Sequence, residues 1–231
     1  MDDATDDPEA IAQLLATSDE DRRFDLLSGL VAADATVAFV EAQRLIGGPD
    51  PRRRTLGADI LGHVVQAETG LVQRASDILI PRVLVETDAS ALQAAITALG
   101  HARDERARGA VMARASNGEV DVRLAVAWAL PSLGLDDSAL TALRQLSTDP
   151  DEDVRDWATF GLGQSEATDP ATVEALFARS EDPHYDTRCE AILGLAKRHD
   201  PRARALVDRE LAQPMVGALI VEAQGLLDTD R

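Results

Sequence analysis

Apolar and small residues recur along this chain with the spacing of helices that bury one side. Around position 155 such residues stand one position before the arginine and three, six and seven positions after it; they are Val154, Ala158, Gly161 and Leu162. At about 100° per residue these positions share one side of a helix. Two preceding partner helices show similar spacing; they contain Leu140, Leu143 and Leu146, and Val173, Leu176 and Phe177. The pattern predicts pairs of packed helices and no long strand.

A frame of about 32 residues repeats along the chain. The segments 149–163 and 182–196 align without a gap, and 117–131 and 48–62 follow the same frame. The residues at the arginine position of each frame are Arg23, Arg54, Leu92, Arg123, Arg155, Arg188 and Ile220, with separations of 31, 38, 31, 32, 33 and 32 residues. Seven units of two helices each, one of them with a longer insert, are therefore predicted over nearly the whole chain.

Residues typical of turns lie between the predicted helices of each repeat and after the second helix. Asp-Pro pairs at 149–150 and 182–183 separate the two helices of a unit, where aspartate accepts backbone N–H bonds and proline ends or opens a helix. The glycines that follow the second helix are Gly62, Gly100, Gly134 and Gly163. Because glycine tolerates the left-handed conformation, we predict that these glycines close their helices. The insert between Gly62 and Ala89, residues 63–88, either adds a turn or lengthens its helices.

The pattern D-P-x-x-x-V-R-x-x-A-x-x-x-L-G at 149–163, with near copies at 117–131 and 182–196, resembles HEAT repeats, particularly the HEAT-like repeats of the phycobilisome (PBS) lyase type. The resemblance implies an all-α fold, an armadillo-type α-solenoid (superhelix) of about seven stacked antiparallel helix pairs. First helices would line the convex side and second helices the concave side. It also implies a structural ladder between units, with Asp149 beside Arg155 and Asp182 beside Arg188; its further members are Arg54 and Arg123.

The resemblance gives the domain organisation as well. We expect an acidic N-terminal tail at 1–7 and a single HEAT-like domain at 8–231. The expected repeat units are about 8–33, 35–64, 71–101, 103–133, 136–163, 169–198 and 202–228.

Charge narrows the classes of partner. The chain has 23 Lys and Arg against 41 Asp and Glu, a net charge of −18, which repels phosphate backbones and anionic headgroups. We therefore expect neither nucleic acid nor membrane as a partner, and a basic protein or peptide instead. The acidic start, the lack of a long apolar stretch and the single cysteine, Cys189, favour a cytoplasmic protein. Lys197 is the only lysine, which we interpret as GC-rich, bacterial coding.

A candidate binding surface follows from the residues five positions after the repeat arginine. These residues are Trp128, Phe160 and Leu193, and the acidic residues near them are Asp156, Asp186 and Glu190. Stacked units would place the three in a row on the concave side, where an aromatic and acidic surface suits a basic segment. The same three residues could instead fill the core between repeats, and this alternative stays open. Trp157 is expected in the core, at the edge of the buried stripe.

No arrangement typical of catalysis, metal binding or cofactor binding stands out, so no cofactor is expected. Asp59 and His63 are four apart on one helix, which predicts an ordinary surface contact, and Cys189 is expected to be a packing thiol. A HEAT-like DNA glycosylase would need a basic surface; the arginines available for one are Arg52, Arg53, Arg54, Arg103, Arg106 and Arg108. The net charge opposes that function.

The prediction is therefore a non-enzymatic scaffold or adaptor that binds a basic protein or peptide on its concave surface, with a monomer favoured. The alternative from the enzyme class is a PBS-lyase-like chromophore lyase, which the resemblance alone suggests.

Overall fold

The structure is a computed structural model that describes residues 9–229, and in this range it contains α-helices, short 3₁₀ segments and no strand. The helices are α1 (Glu9–Ala16), α2 (Glu20–Ala33), α3 (Ala35–Ile46), α4 (Pro51–Ala67), α5 (Val72–Val85), α6 (Ala89–Ala102), α7 (Arg108–Met112), α8 (Val120–Ala129), α9 (Asp137–Leu146), α10 (Glu152–Gln164), α11 (Pro170–Arg179), α12 (Tyr185–Lys197), α13 (Ala203–Leu211) and α14 (Ala218–Thr229). The all-α prediction is confirmed. The acidic tail expected at 1–7 lies outside the described residues.

The helices form two compact units, Met1–Arg114 and Ala115–Arg231, called here the N-terminal and C-terminal units. In the N-terminal unit α1 packs on α2, α3 on α4 and α5 on α6, while the second helices α2, α4 and α6 contact one another in chain order. The C-terminal unit repeats this arrangement with the pairs α9–α10, α11–α12 and α13–α14, and with α8, α10, α12 and α14 in contact in sequence. Helix pairs stacked in this way form an α-solenoid.

Aspartate side chains begin many of these helices. Asp151, for example, accepts bonds from the backbone N–H groups of Asp153 and Val154, both at 3.1 Å, and so caps α10. Asp149 of the Asp-Pro pair does not cap the helix; its Oδ1 accepts the N–H of Asp151 at 3.0 Å and holds the turn before it. Pro170 opens α11 at its first position, where no N–H is needed.

The prediction that glycines close the second helices is wrong at three of the four positions. Gly62, Gly100 and Gly163 lie inside helices, and Gly134 alone among the four has a positive φ, of 90°. The left-handed residue after α6 is Arg103, with φ 53°. Gly163 instead lies where α10 and α12 approach backbone to backbone: a Cβ placed on Gly194 of α12 would lie 2.9 Å from the Cα of Gly163.

The longer insert both adds a turn and lengthens its helices. Helix α4 has 17 residues and α5 has 14, against 13 in α10 and 10 in α11. The 3₁₀ segment Thr69–Leu71 connects α4 to α5. The additional residues thus extend the second helix of one pair and the first helix of the next.

Candidate functional site

A ladder of buried ion pairs connects successive repeats. Nε and Nη2 of Arg155 donate to the two carboxylate oxygens of Asp182, at 2.9 and 3.0 Å, in the bidentate geometry that arginine favours. Nη1 donates to the main-chain carbonyls of Asp149 and Pro150, at 3.0 and 3.1 Å. The side chain of Asp182 is 1% exposed, so this pair is held away from water.

Three other repeat arginines follow the same plan. Arg123 binds both oxygens of Asp149, at 2.7 and 3.0 Å, and Arg54 binds both oxygens of Glu86, at 2.7 and 2.9 Å. Nη1 of Arg188 donates to the carbonyls of Asp182 and Pro183, and its Nε lies 3.7 Å from the Glu210 carboxylate. Each arginine thus reaches a carboxylate of the next repeat.

These ion pairs join neighbouring repeats, whereas the sequence predicted that the aspartate and arginine of one repeat would lie beside each other. Asp149 does lie beside Arg155, but through its main-chain carbonyl, because its carboxylate is bound to Arg123 and to the N–H of Asp151. Asp182 relates to Arg188 in the same way. The role of Glu86 as the partner of Arg54 was not predicted from the sequence. A usable signal was present, since Glu86 precedes the Leu92 anchor by six residues, as Asp149 precedes Arg155.

The ladder carboxylates are held in their ionised form. Burial by itself would raise the pKa of Glu86, but the hydrogen bonds from Arg54 and from the N–H groups of Asp88 and Thr87 outweigh it and lower the pKa to about 2. The same balance, with arginine partners, lowers the pKa of Asp149 and of Asp182 below its ordinary value. These residues therefore stabilise the stacking of repeats, and they present no free group for chemistry.

We expect that replacing Glu86 by glutamine makes the free energy of unfolding less dependent on pH in the acid range. Because the folded pKa of about 2 lies below the ordinary 4.5, the Glu86 contribution is present above about pH 4.5 and is lost as the pH falls toward 2. Urea-unfolding midpoints across the acid range should fall less steeply in Glu86→Gln than in the wild type. The exposed Glu105→Gln should follow the wild-type curve, and equal slopes in all three proteins would contradict the assignment.

The second helices of the C-terminal unit carry a surface of aromatic and acidic residues. Asp153, Asp156, Trp157 and Phe160 share one side of α10, since they are three, four and seven positions apart. We call this surface the acidic–aromatic face; its residues are Asp153, Asp156, Trp157 and Phe160 of α10, Asp186 and Glu190 of α12, and Glu222 of α14.

The aromatic part of this face is accessible. Trp157 is 36% exposed, and its ring meets that of Phe160 edge to face, with centroids 5.6 Å apart and planes at 79°. The expectation that Trp157 lies in the core is therefore wrong: the indole rests on a neighbouring ring at the surface. Trp128 and Phe160 are half-buried, whereas Leu193 is 4% exposed and belongs to the core, the second role left open for these residues.

The carboxylates of the face crowd one another. Burial and then the negative charge of Asp156 raise the pKa of Glu190 to about 7, with Glu222 and Asp186 adding to the rise and Lys197 opposing it. Burial likewise raises the pKa of Asp156, although its Oδ1 accepts a bond from the Thr187 hydroxyl at 3.3 Å. The raised pKa values mean that hydrogen bonds and positive charges near Asp156 and Glu190 do not offset the cost of burying their negative charge. A cation placed among these side chains would be bound favourably.

The remaining candidates have structural surroundings. Nδ1 of His63 lies 3.0 Å from the main-chain oxygen of Asp59, whose carboxylate pairs with Arg23, so the two do not form an acid–base pair. Cys189 is free and buried, and burial raises the pKa of its thiol. Several arginines of the two basic stretches contact carboxylates; these pairs are Arg53–Asp50, Arg54–Glu86, Arg106–Asp77, Arg106–Asp104 and Arg108–Glu105.

The described residues contain neither a cluster of metal ligands nor a helix that could span a membrane. Within 9–229 there is no group of three or more His, Cys, Asp or Glu side chains placed to hold a metal ion. None of the helices in the same range has the length and apolar character needed to cross a membrane.

Helix pairs stacked in succession place the chain in the class of α-solenoid repeat proteins. The HEAT repeats family matches residues 76–163 and 140–214, which together span more than half of the 231 residues. The chain therefore belongs to the HEAT repeat family, and the predicted α-solenoid of HEAT-like helix pairs is confirmed.

Particular relatives agree with this membership. Protein YibA of Escherichia coli K12 is 32% identical over 107 residues, which are 46% of this chain and 38% of YibA, so the match spans well under half of that relative's length. The X-ray structure of YibA superposes with a TM-score of 0.78 at 23% identity, covering 96% of this chain and 81% of YibA.

Two further solved structures share the fold. A designed armadillo repeat protein in complex with the peptide (KR)4 has a TM-score of 0.61 at 14% identity, over 83% of this chain and 98% of the designed chain. The complex of CpcE and CpcF of phycocyanin lyase from Nostoc matches with a TM-score of 0.52 at 20% identity, over 98% of this chain and 97% of that chain.

Proposed function

We propose that this chain is a non-enzymatic scaffold that binds a basic protein or peptide segment on the acidic–aromatic face of its C-terminal unit. The observation that carries the proposal is the exposed Trp157 ring, packed on half-buried Phe160, beside two carboxylates, Asp156 and Glu190. Burial and neighbouring negative charge raise the pKa values of both carboxylates. A cytoplasmic setting fits the single unpaired Cys189.

The chemistry of the face suits lysine and arginine side chains. An aromatic ring attracts a cation placed over its surface, and nearby carboxylates add a charge-assisted hydrogen bond. The net charge of −18 steers basic partners toward the protein and repels nucleic acid. A solenoid of the same general fold holds the basic peptide (KR)4 in the designed armadillo protein, which supports the class of ligand.

Replacing Trp157 and Phe160 together by alanine should weaken binding of (KR)4 by roughly tenfold to a hundredfold. Each ring contributes about 1 kcal/mol through cation–π contact and loss of contact area adds to this effect. Isothermal titration calorimetry on the full chain measures the change, and far-UV circular dichroism checks that helicity is retained. An affinity for (KR)4 equal to that of the wild type in the folded double variant would contradict the proposal.

The pH dependence of the affinity for (KR)4 provides a second test of the proposal. Because a cation favours ionised Glu190, whose pKa is about 7, affinity for (KR)4 should rise with pH through neutrality. Glu190→Gln should remove part of this dependence, while Asp208→Asn, on an exposed residue of α13, should preserve it. The chromophore-lyase alternative is tested by adding bilin to the protein and recording the absorption spectrum. A change in the bilin spectrum would favour the lyase.

A further inference from the structure

A cavity of about 400 Å³ lies among the second helices of the N-terminal unit, whereas the acidic–aromatic face belongs to the C-terminal unit. Small residues of α4 and α6 line one side of it; they are Ala58, Gly62, Ala94 and Ala98. Rings line another, since Phe24 of α2 meets His63 of α4 with centroids 5.6 Å apart and planes at 58°. The volume falls within the range of sites for small ligands.

His63, which lines this cavity, has one polar atom without a partner. Nδ1 of His63 lies 3.0 Å from the main-chain oxygen of Asp59, and because a carbonyl oxygen can only accept, Nδ1 carries the proton. In the neutral ring Nε2 is then an acceptor, and this atom is buried without a hydrogen-bond partner in the structure. A buried acceptor without a donor is costly, so a donor from a ligand would be bound favourably.

The charge and exposure of the other lining groups narrow the class of ligand. Arg23 and Asp59 form an ion pair, and burial lowers the pKa of His101. The remaining charged lining group is the exposed carboxylate of Glu20, so the cavity offers no net positive charge to an anion. Phe24 is 61% exposed, an unusual amount for a large apolar ring, and a flat apolar group would cover it. The features together favour a neutral ring with one donor over an ion.

We propose that this cavity binds a small planar aromatic group with one hydrogen-bond donor, of the indole or phenol type, and that Nε2 of His63 accepts the donor's hydrogen bond. Nε2 is buried while Phe24 packs on the His63 ring, so Phe24 changes rotamer to let the donor reach Nε2 and then stacks on the ligand. The group is either a free small molecule or a tryptophan or tyrosine side chain of a partner. The proposal concerns a different unit from the peptide-binding face and does not depend on it.

The test compares indole with 1-methylindole on the wild-type full chain. The two rings share shape and apolar surface, but the methyl group removes the donor. Indole should bind roughly five to ten times more tightly, as expected for one hydrogen bond to a buried acceptor. The imidazole ¹⁵N spectrum should show a shift of Nε2 of His63 on adding indole and little shift with 1-methylindole. Equal affinity of the two probes, or shifts confined to the C-terminal unit, would overturn the proposal.

A variant adds an independent readout. His63→Phe keeps a planar ring but removes the acceptor, so it should lower indole affinity roughly five- to tenfold and leave 1-methylindole affinity nearly unchanged. Asp208→Asn is the control and should bind both probes as the wild type does. Unchanged indole binding by folded His63→Phe would overturn the proposal, and if this variant fails to fold, the comparison of the two probes on the wild type still decides.

Two more measurements separate the sources and the two sites. N-acetyltryptophanamide that binds more tightly than indole assigns the site to a protein side chain, and weaker binding assigns it to a free molecule. His63→Phe should bind (KR)4 as the wild type does, because the peptide-binding face lies in the other unit. Loss of (KR)4 binding in folded His63→Phe would contradict the independence of the two sites.

Discussion

Replacing Asp182 by alanine is expected to destabilise the protein by roughly 3–5 kcal/mol, the usual cost of removing one partner of a buried ion pair. Its carboxylate accepts two bonds from Arg155, one from Arg179 at 3.0 Å and one from the N–H of His184 at 3.0 Å. Alanine would leave both guanidinium groups without their carboxylate and would release the turn before α12. The contact between successive repeats would be weakened at its most buried polar point.

Chemical denaturation followed by far-UV circular dichroism measures this loss. The control is Asp228→Ala, which removes an ion pair with Arg204 whose two side chains are 47% and 31% exposed. An exposed pair contributes about 0–1 kcal/mol, so this variant should stay close to the wild type. Similar stabilities for the two variants would show that the ladder contributes no more than a surface ion pair.

Replacing Gly194 by leucine should cost roughly 3 kcal/mol, at the upper end of the usual cost of overpacking. A Cβ at this position would lie 2.9 Å from the Cα of Gly163 and 3.1 Å from both terminal methyl groups of Leu176. Because the nearest atom belongs to the backbone of α10, a rotamer change cannot relieve the clash. The two helices would have to separate.

Gly225 provides a matched control on α14. A Cβ there meets nothing within 4 Å, so Gly225→Leu should be neutral or stabilise by up to about 0.8 kcal/mol through helix propensity. Thermal and urea unfolding of the two variants should therefore move in opposite directions or differ by several kcal/mol. Equal effects would contradict the close approach of α10 and α12.

Much of the fold was predictable because the information is local. Helical spacing around Arg155 and the recurrence of its frame depend on residues within about 32 positions, and each repeat packs mainly on its neighbours. Pairs of helices therefore follow from the pattern alone. The net charge and the acidic residues near Phe160 favour a basic ligand, which stays a prediction.

The candidate site was predictable only in part. Trp157 looked like a core residue from its position beside the buried stripe, yet it is exposed and rests on Phe160. Leu193 occupies the position equivalent to Phe160 and is buried. Equivalent positions of successive repeats thus differ in exposure, which the repeat frame does not specify.

The sequence by itself determined the helix pairs, the repeat arginines and the negative charge, since all three follow from residue order and composition. Only the tertiary structure decided that Arg155 binds Asp182 of the next repeat, that Gly163 and Gly194 allow two helices to touch, and that His63 retains a buried acceptor without a donor. These features depend on distances between side chains about 30 residues apart or on burial by neighbouring helices. Such distances are set by how helices pack, which periodicity does not specify.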